Sequence, residues 1–281
     1  MIRTPDGQPL VPIFDWYQLT AETDPRMVFE LLQPLGFTDP FLDVKPVLPG
    51  YAFSKLSGGV GGSVRVHYGG RNGDDYGPNI QGTGPRSPDV ADLFRHARMP
   101  HKVSRADVRL DFLGDFERCR AMFIERCNTA GVATSDAGSS PESLMQHGRT
   151  VYGGARSSFY RPTMYQKGLQ LGEGYPVDFV RLEHRFTPTK SADKSSLSQM
   201  TPDSMIGCRP IARDLTKTIT DLAITPYKLT SLPKEKTPYH WMLRQYRGVL
   251  LEMMQDHGSW PAVGQQIGFD LMEMDEPANV H

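Results

Sequence analysis

Three observations predict an α+β fold, an antiparallel sheet with helices on one face plus a small C-terminal helical appendage. Runs alternating apolar and polar residues recur along the chain. They are clearest at 104–113, where Ala106, Val108, Leu110 and Phe112 alternate with Arg105, Asp107, Arg109 and Asp111. Stretches with helix start and stop residues separate these runs. No Gly-x-Gly-x-x-Gly follows a strand-like run, which argues against a doubly wound dinucleotide-binding sheet.

Residues 13–20 read as the first strand, and Thr23-Asp24-Pro25 then supplies an N-cap and a first-turn proline for a helix to about 33. A Gly-rich region follows. Residues 64–68 alternate like a strand, whereas 69–88 are so dense in Gly, Pro, Asn and Asp that turns and short pairings are expected. Ser87-Pro88-Asp89 opens a helix to about 97, the strand 104–113 comes next, and a helix spans about 115–128. Small polar residues make 130–143 a mobile loop, and 150–154, 163–167 and 177–186 supply three more strands. The Ser, Lys and Thr content of 187–200 predicts a linker or loop. Helices are expected at 211–222 and 238–257, the second framed by Thr237-Pro238 and Gly258, and the acidic end 273–281 is expected to fray. Pro162 suggests that the strand after it is an edge or carries a bulge. The domains predicted are therefore 10–230, a helical appendage at 231–272 and a tail at 273–281.

The 281 residues are enough for a full core, and 38% hydrophobic with 22% charged content is ordinary for a globular protein. No run of about 18 apolar residues exists and no signal sequence opens the chain, so a cytoplasmic protein with no membrane partner is expected. Cys119, Cys127 and Cys208 lack paired spacing, which argues for reduced thiols and against a disulfide framework or zinc. The net charge is -1, but residues 249–281 carry six acids and no Lys or Arg, so the remainder carries +5. Local basic clusters permit a polyanionic partner such as DNA.

The chemistry-bearing residues lie on strands. Alternation places Tyr165 and Lys167 on one face of their strand, and Arg181 and Glu183 on one face of theirs. A phenol, an ammonium, a guanidinium and a carboxylate on one sheet face could break a phosphodiester. Asp107 and Asp111 stand about 13 Å apart along a strand, so a hard-oxygen site for Mg²⁺ or Mn²⁺ needs a neighbouring acid, with Glu183 the candidate. The alternative is a solvent-facing sheet lined with ion pairs between Arg105, Arg109, Arg181 and the acids. A phenol of pKa near 10 needs a metal-activated target and a nearby cation to act as a nucleophile, and Lys167 is placed to be that cation. The alternative for Tyr165 is a packing or rim residue. Gly153-Gly154-Ala155-Arg156-Ser157-Ser158 could cradle a phosphate or form a hairpin turn.

Taken in order, these segments resemble the replication initiation factor family of filamentous phages, rolling-circle plasmids and conjugative elements. The resemblance is carried by Phe14-Asp15-Trp16, Gln81-Gly82-Thr83-Gly84-Pro85-Arg86, Arg105-x-Asp107 through Asp111, and Tyr152-Gly153-Gly154-Ala155-Arg156-Ser157-Ser158. Tyr165-Gln166-Lys167-Gly168, Arg181-Leu182-Glu183 and the stretch Trp241-Met242-Leu243-Arg244-Gln245-Tyr246 complete it. Gln166 stands where many members have an acid, and Thr163 where an Arg is frequent. The resemblance implies a metal-dependent endonuclease and strand transferase acting on an origin stem-loop or single strand. Tyr165 would form a 5′-phosphotyrosyl link and leave a 3′-OH for the host polymerase. It implies Asp107, Glu183 and Asp111 as ligands of Mg²⁺ or Mn²⁺, and Lys167, Arg156, Ser157, Arg181 and Arg105 at the DNA phosphates. None of the eight histidines forms a His-hydrophobic-His motif. The appendage has three candidate partners: DNA, a helicase or a second protomer forming a homodimer. Two rival readings are a non-catalytic origin-binding or regulatory homologue and a nuclease that uses water in place of tyrosine.

Overall fold

The computed structural model describes residues 3–33, 41–59, 61–70, 77–97, 99–138, 148–229 and 246–274. The chain divides into two compact units, Met1–Leu232 and Pro233–His281. The first is α+β. Its ten strands are β1 (Ile13–Ala21), β2 (Leu42–Asp43), β3 (Tyr51–Gly59), β4 (Gly62–Gly70), β5 (Asn79–Thr83), β6 (His101–Leu113), β7 (Thr134–Ala137), β8 (Thr150–Gly153), β9 (Tyr160–Gln166) and β10 (Phe179–Phe186). They form one sheet in the order β2-β3-β4-β5-β1-β6-β10-β9-β8-β7, and every pairing is antiparallel.

Alternation decides the two faces. Phe14, Tyr17 and Leu19 of β1, Ala106, Val108, Leu110 and Phe112 of β6, and Val180, Leu182 and Phe186 of β10 are fully or almost fully buried. Helices cover that side. α1 (Pro25–Leu32) brings Val28 and Leu32, and its Phe29 ring meets Tyr68 edge-on at 5.8 Å. α2 (Arg86–His96) packs on β1 and β5, and α3 (Phe116–Thr129) on β7, β8 and β9. Asp24 and Asp115 cap α1 and α3, accepting from the backbone N–H of Arg26 at 2.7 Å and of Glu117 at 3.0 Å, so both starts match the sequence prediction. Cys119 and Cys127 are buried, Cys208 is half-buried, and all three thiols are free.

Several sequence expectations are corrected. The predicted linker contains α5 (Ser191–Leu197), because Leu197 and Ser196 dock into the core against β6, and that burial outweighs weak local propensity. The loop expected at 130–143 contains β7, which adds to β8 by four residue pairs; 139–143 lie outside the described residues. β3 went unpredicted because Ser and Gly dilute its pattern, yet eight pairs with β4 hold it. Pro162 lies neither at an edge strand nor at a bulge. β9 runs between β10 and β8, and Pro162 falls one residue beyond the β8 ladder, where no N–H is required.

Two further helices, α6 (Pro202–Gly207) and α7 (Pro210–Thr220), complete the described first unit, apart from a short turn of helix after β9. In the second unit Gly258, at φ 73°, ends α8 (Arg247–His257) as expected, and an unpredicted α9 (Trp260–Met274) follows. The predicted segments at 238–245 and 275–281 lie outside the described residues. Among the described residues no helix is long and apolar enough to cross a membrane.

One buried histidine gives a prediction. His67 on β4 is fully buried beside the Tyr51 ring, 5.8 Å away between centroids, and neither ring nitrogen has a hydrogen-bond partner among the described residues. Burial, aided by Arg65, pushes its pKa down to about 4. The folded state therefore binds this proton less readily than the unfolded chain, and stability is lost as pH falls from about 6.5 toward 4. His67→Leu removes an unsatisfied polar group and is expected to stabilise by about 1 kcal/mol at pH 7.5. The gain should grow at pH 5, as read by urea unfolding at the two pH values.

Candidate functional site

The sheet face away from the helices carries the charged residues, and cross-strand register sets their arrangement. Tyr165 on β9 is opposite Arg181 on β10, which is opposite Asp111 on β6. The next row is Thr163, Glu183 and Arg109; the third is Arg161, Arg185, Asp107 and Trp16. Tyr165, Arg181, Glu183, Asp107 and Asp111 therefore share one face, as alternation predicts. Lys167 reaches it differently. β9 ends at Gln166, and Lys167 opens the short helix α4 (Lys167–Leu171), so strand alternation does not place it. Its Nζ nevertheless lies 5.7 Å from the centre of the Tyr165 ring and donates to Gln170 Oε1 at 2.9 Å.

The charges form two clusters. In one, Arg181 donates from Nε and Nη2 to Asp111 at 2.6 and 2.8 Å, and from Nη1 to Asp15 Oδ2 at 3.1 Å; Arg109 Nη1 donates to Asp15 Oδ1 at 3.0 Å. In the other, Asp107 accepts from Arg105 Nε at 3.0 Å and from Arg185 Nε and Nη2 at 3.1 and 3.0 Å, and Arg185 Nη2 also reaches Glu183 Oε1 at 3.0 Å. Asp107, Arg181 and Glu183 are only 2%, 4% and 7% exposed. Charges buried to that degree persist only when paired and fully hydrogen-bonded. The ion-pair reading of this face, weighed against a metal site in the sequence, is the arrangement present.

That pairing bears on the predicted metal ligands. Asp107, Asp111 and Glu183 each hold an arginine, and among the described residues no three His, Cys, Asp or Glu side chains group as a cation site. The donor set does not fit a preformed Mg²⁺ or Mn²⁺ site. Arg105 is likewise committed to Asp107 and lies 4.3 Å over the Trp16 ring. Arg156 and Ser157 stand exposed in the turn joining β8 to β9, beyond Tyr160. Five strand residues, about 17 Å, separate that end of β9 from Tyr165, so the Gly-Gly-Ala-Arg-Ser-Ser run is a hairpin turn and does not join the Tyr165 cluster.

Electrostatics sets the state of each group. Burial raises the Tyr165 phenol well above its ordinary value, and the charge of Arg181 opposes that rise. Burial lowers Lys167, with Arg181 adding to the effect. Glu183 is pushed up to about 7, chiefly by burial, then by the neighbouring Asp107 charge and against the pull of Arg185.

Sequence reasoning overlooked Arg185, Arg161 and the role of Asp15. Arg185 continues the period-two series Arg181, Glu183 and could have been found from it. Asp15 had no such signal: it lies at the register shift between Phe14 and Trp16, and that irregularity brings its carboxylate between Arg109 and Arg181. Arg161 lies 4.4 Å over the Tyr152 ring, adding an aromatic-guanidinium pair beside the cluster.

The sheet has a solved counterpart. Its fold is that of a rolling-circle initiator structure. The chain is similar to the structure of a rolling circle replication initiator protein from Geobacillus stearothermophilus, with a TM-score of 0.53 and 18% identity, over 80% of this chain and 100% of that one. No family model matches the chain, and no curated protein matches it in sequence. At that identity the likeness is one of fold.

Local packing holds the Tyr165–Lys167 corner. A Cβ on Gly168 would lie 1.8 Å from the Pro176 carbonyl oxygen, so only glycine permits α4 to turn against 176–179. Gly168→Ala is expected to destabilise by about 1–3 kcal/mol, as overpacking does, measured by thermal unfolding.

Proposed function

We propose that the protein is a rolling-circle replication initiator that nicks one DNA strand at an origin, with Tyr165 as the nucleophile. The observation that carries this reading is the row Tyr165–Arg181–Asp111, with Lys167 over the phenol, on the polar face of a sheet shared with a solved rolling-circle initiator. Tyr165 Oη would attack phosphorus, the P–O3′ bond would break, and the products would be a 5′-phosphotyrosyl link and a free 3′-OH. Arg181 and Lys167 would stabilise the charge developing on the phosphate oxygens. Because burial disfavours the phenolate, the attack needs a proton acceptor. Glu183, the diagonal cross-strand neighbour of Tyr165, has a pKa raised to about 7 and suits both taking the phenol proton and returning one to the 3′ oxygen.

No step is assigned to Mg²⁺ or Mn²⁺, since the carboxylates hold arginines; either ion would first have to displace a guanidinium. The test incubates the protein with supercoiled DNA carrying its own origin, with Mn²⁺, with Mg²⁺ and with chelator. Open circles covalently joined to protein support the proposal, and the chelator arm reports the metal requirement. Salt-sensitive binding with no adduct under any condition would favour the non-catalytic origin-binding reading.

A further inference from the structure

A cleft of about 430 Å³ opens on the same polar face, beside the ion-pair cluster. It is floored by Arg109 of β6 and Ile13 of β1 and walled by Phe179 of β10 and by Pro5, Pro9 and Leu10 of the N-terminal arm. The arm is fixed: Leu113 N–H donates to the Arg3 carbonyl at 2.8 Å, and the Thr4 hydroxyl closes a turn onto the Gln8 carbonyl. Asp111, a further lining residue, is paired through β10 with Tyr165, two strand spacings or about 10 Å away.

We infer that this cleft receives one unpaired base of a single DNA strand lying across the charged face. The inference rests on the nicking proposal for the strand's path and adds the subsite that path lacks. The walls are apolar and ring-bearing, which suits the face of a base. The polar groups suit its edge: the partly exposed Arg109 guanidinium lines the cleft, its Nε 3.6 Å from Asp111 Oδ2, and the carboxylates of Asp6 and Asp111 line it too. A bare anion would not need the prolines, Leu10 and Phe179; a lipid tail would not need the guanidinium and two carboxylates. The volume falls within the range of small-ligand pockets. Phosphate contacts carry no base information, so the part of DNA affinity that depends on bases falls to sites such as this cleft, where a base can stack.

The experiment measures binding of fluorescein-labelled (dT)₁₀ and (dA)₁₀, and of a ten-unit abasic strand, by anisotropy. Val11 lines the cleft and is 52% exposed, so Val11→Trp fills the space without entering the core. Wild type should bind the base-bearing strands more tightly than the abasic one. Val11→Trp should weaken the former about tenfold, the scale of one stacked base, and leave the latter unchanged. Leu10→Ala should act in the same direction, and Val47→Trp, 62% exposed and outside the cleft, should change neither. Equal binding of base-bearing and abasic strands by wild type, or equal losses on both in Val11→Trp, overturns the inference. The adduct assay separates it from the nicking proposal: base-selective binding lost in Val11→Trp from a protein that forms no adduct sinks nicking alone, and adduct formation with no base selectivity sinks the cleft alone.

Discussion

Tyr165→Phe is expected to abolish the covalent protein–DNA adduct, since loss of a nucleophile costs on the order of 10⁶ in turnover. The substitution removes only a hydroxyl from a half-buried ring, so unfolding free energy should move by less than about 1.5 kcal/mol. The informative control is Tyr160→Phe. Tyr160 lies on the same strand but its hydroxyl is buried against His184 Nδ1 at 2.7 Å, and His184 Nε2 meets the Thr216 hydroxyl at 3.0 Å. Removing that hydroxyl should cost about 1–3 kcal/mol of stability, because His184 loses a partner in the core, while adduct formation persists. A single gel of adduct against unfolding midpoints thus separates a chemical tyrosine from a structural one. An adduct that survives Tyr165→Phe excludes this residue as nucleophile, and strand cleavage without an adduct favours attack by water.

The second large effect is on stability. Asp107→Ala leaves Arg105 and Arg185 without their shared acceptor, with Glu183 the remaining acceptor of Arg185. Breaking a buried ion pair from one side typically costs about 3–5 kcal/mol. The arginines retain 28% and 30% exposure, so about 3 kcal/mol is expected here. Asp107→Asn, which keeps acceptor atoms, should lose less. A linked readout concerns Glu183. Its proton is bound more tightly in the folded state than in the unfolded one, so ionising it removes stability as pH rises from about 4.5 to about 7. Part of that rise comes from the Asp107 charge. In Asp107→Ala the loss across this window should shrink, which urea unfolding at pH 5 and pH 8 measures. A change of less than 1 kcal/mol at both pH values would contradict the network as described.

What could be foreseen followed from local physics. Period-two alternation at Arg105–Asp111 and Arg181–Glu183 placed the charged face, and Thr23-Asp24-Pro25 announced its helix, because side-chain direction and capping depend on a few neighbouring residues. Lys167 shows where that logic stops. Alternation put it beside Tyr165, yet the strand had already ended at Gln166, and only the approach of Pro176 to Gly168 turns the ammonium back over the ring. Arg156 and Ser157 were adjacent to the motif in sequence but lie at the far end of β9, since a hairpin turn sets position by strand length and not by residue chemistry.

The amino-acid order alone determined the fold class, the strands that carry Tyr165, Arg181 and Asp107, and which residues within each strand share a face, since each depends on near neighbours; register across the strands then aligned those faces. Tertiary structure decided which acid holds which arginine, brought Asp15 into the cluster at a register shift, and raised a cleft from the N-terminal arm against β6 and β10. Those outcomes depend on side-chain contacts between residues up to 166 positions apart, and on the burial that makes an unpaired charge too costly to leave.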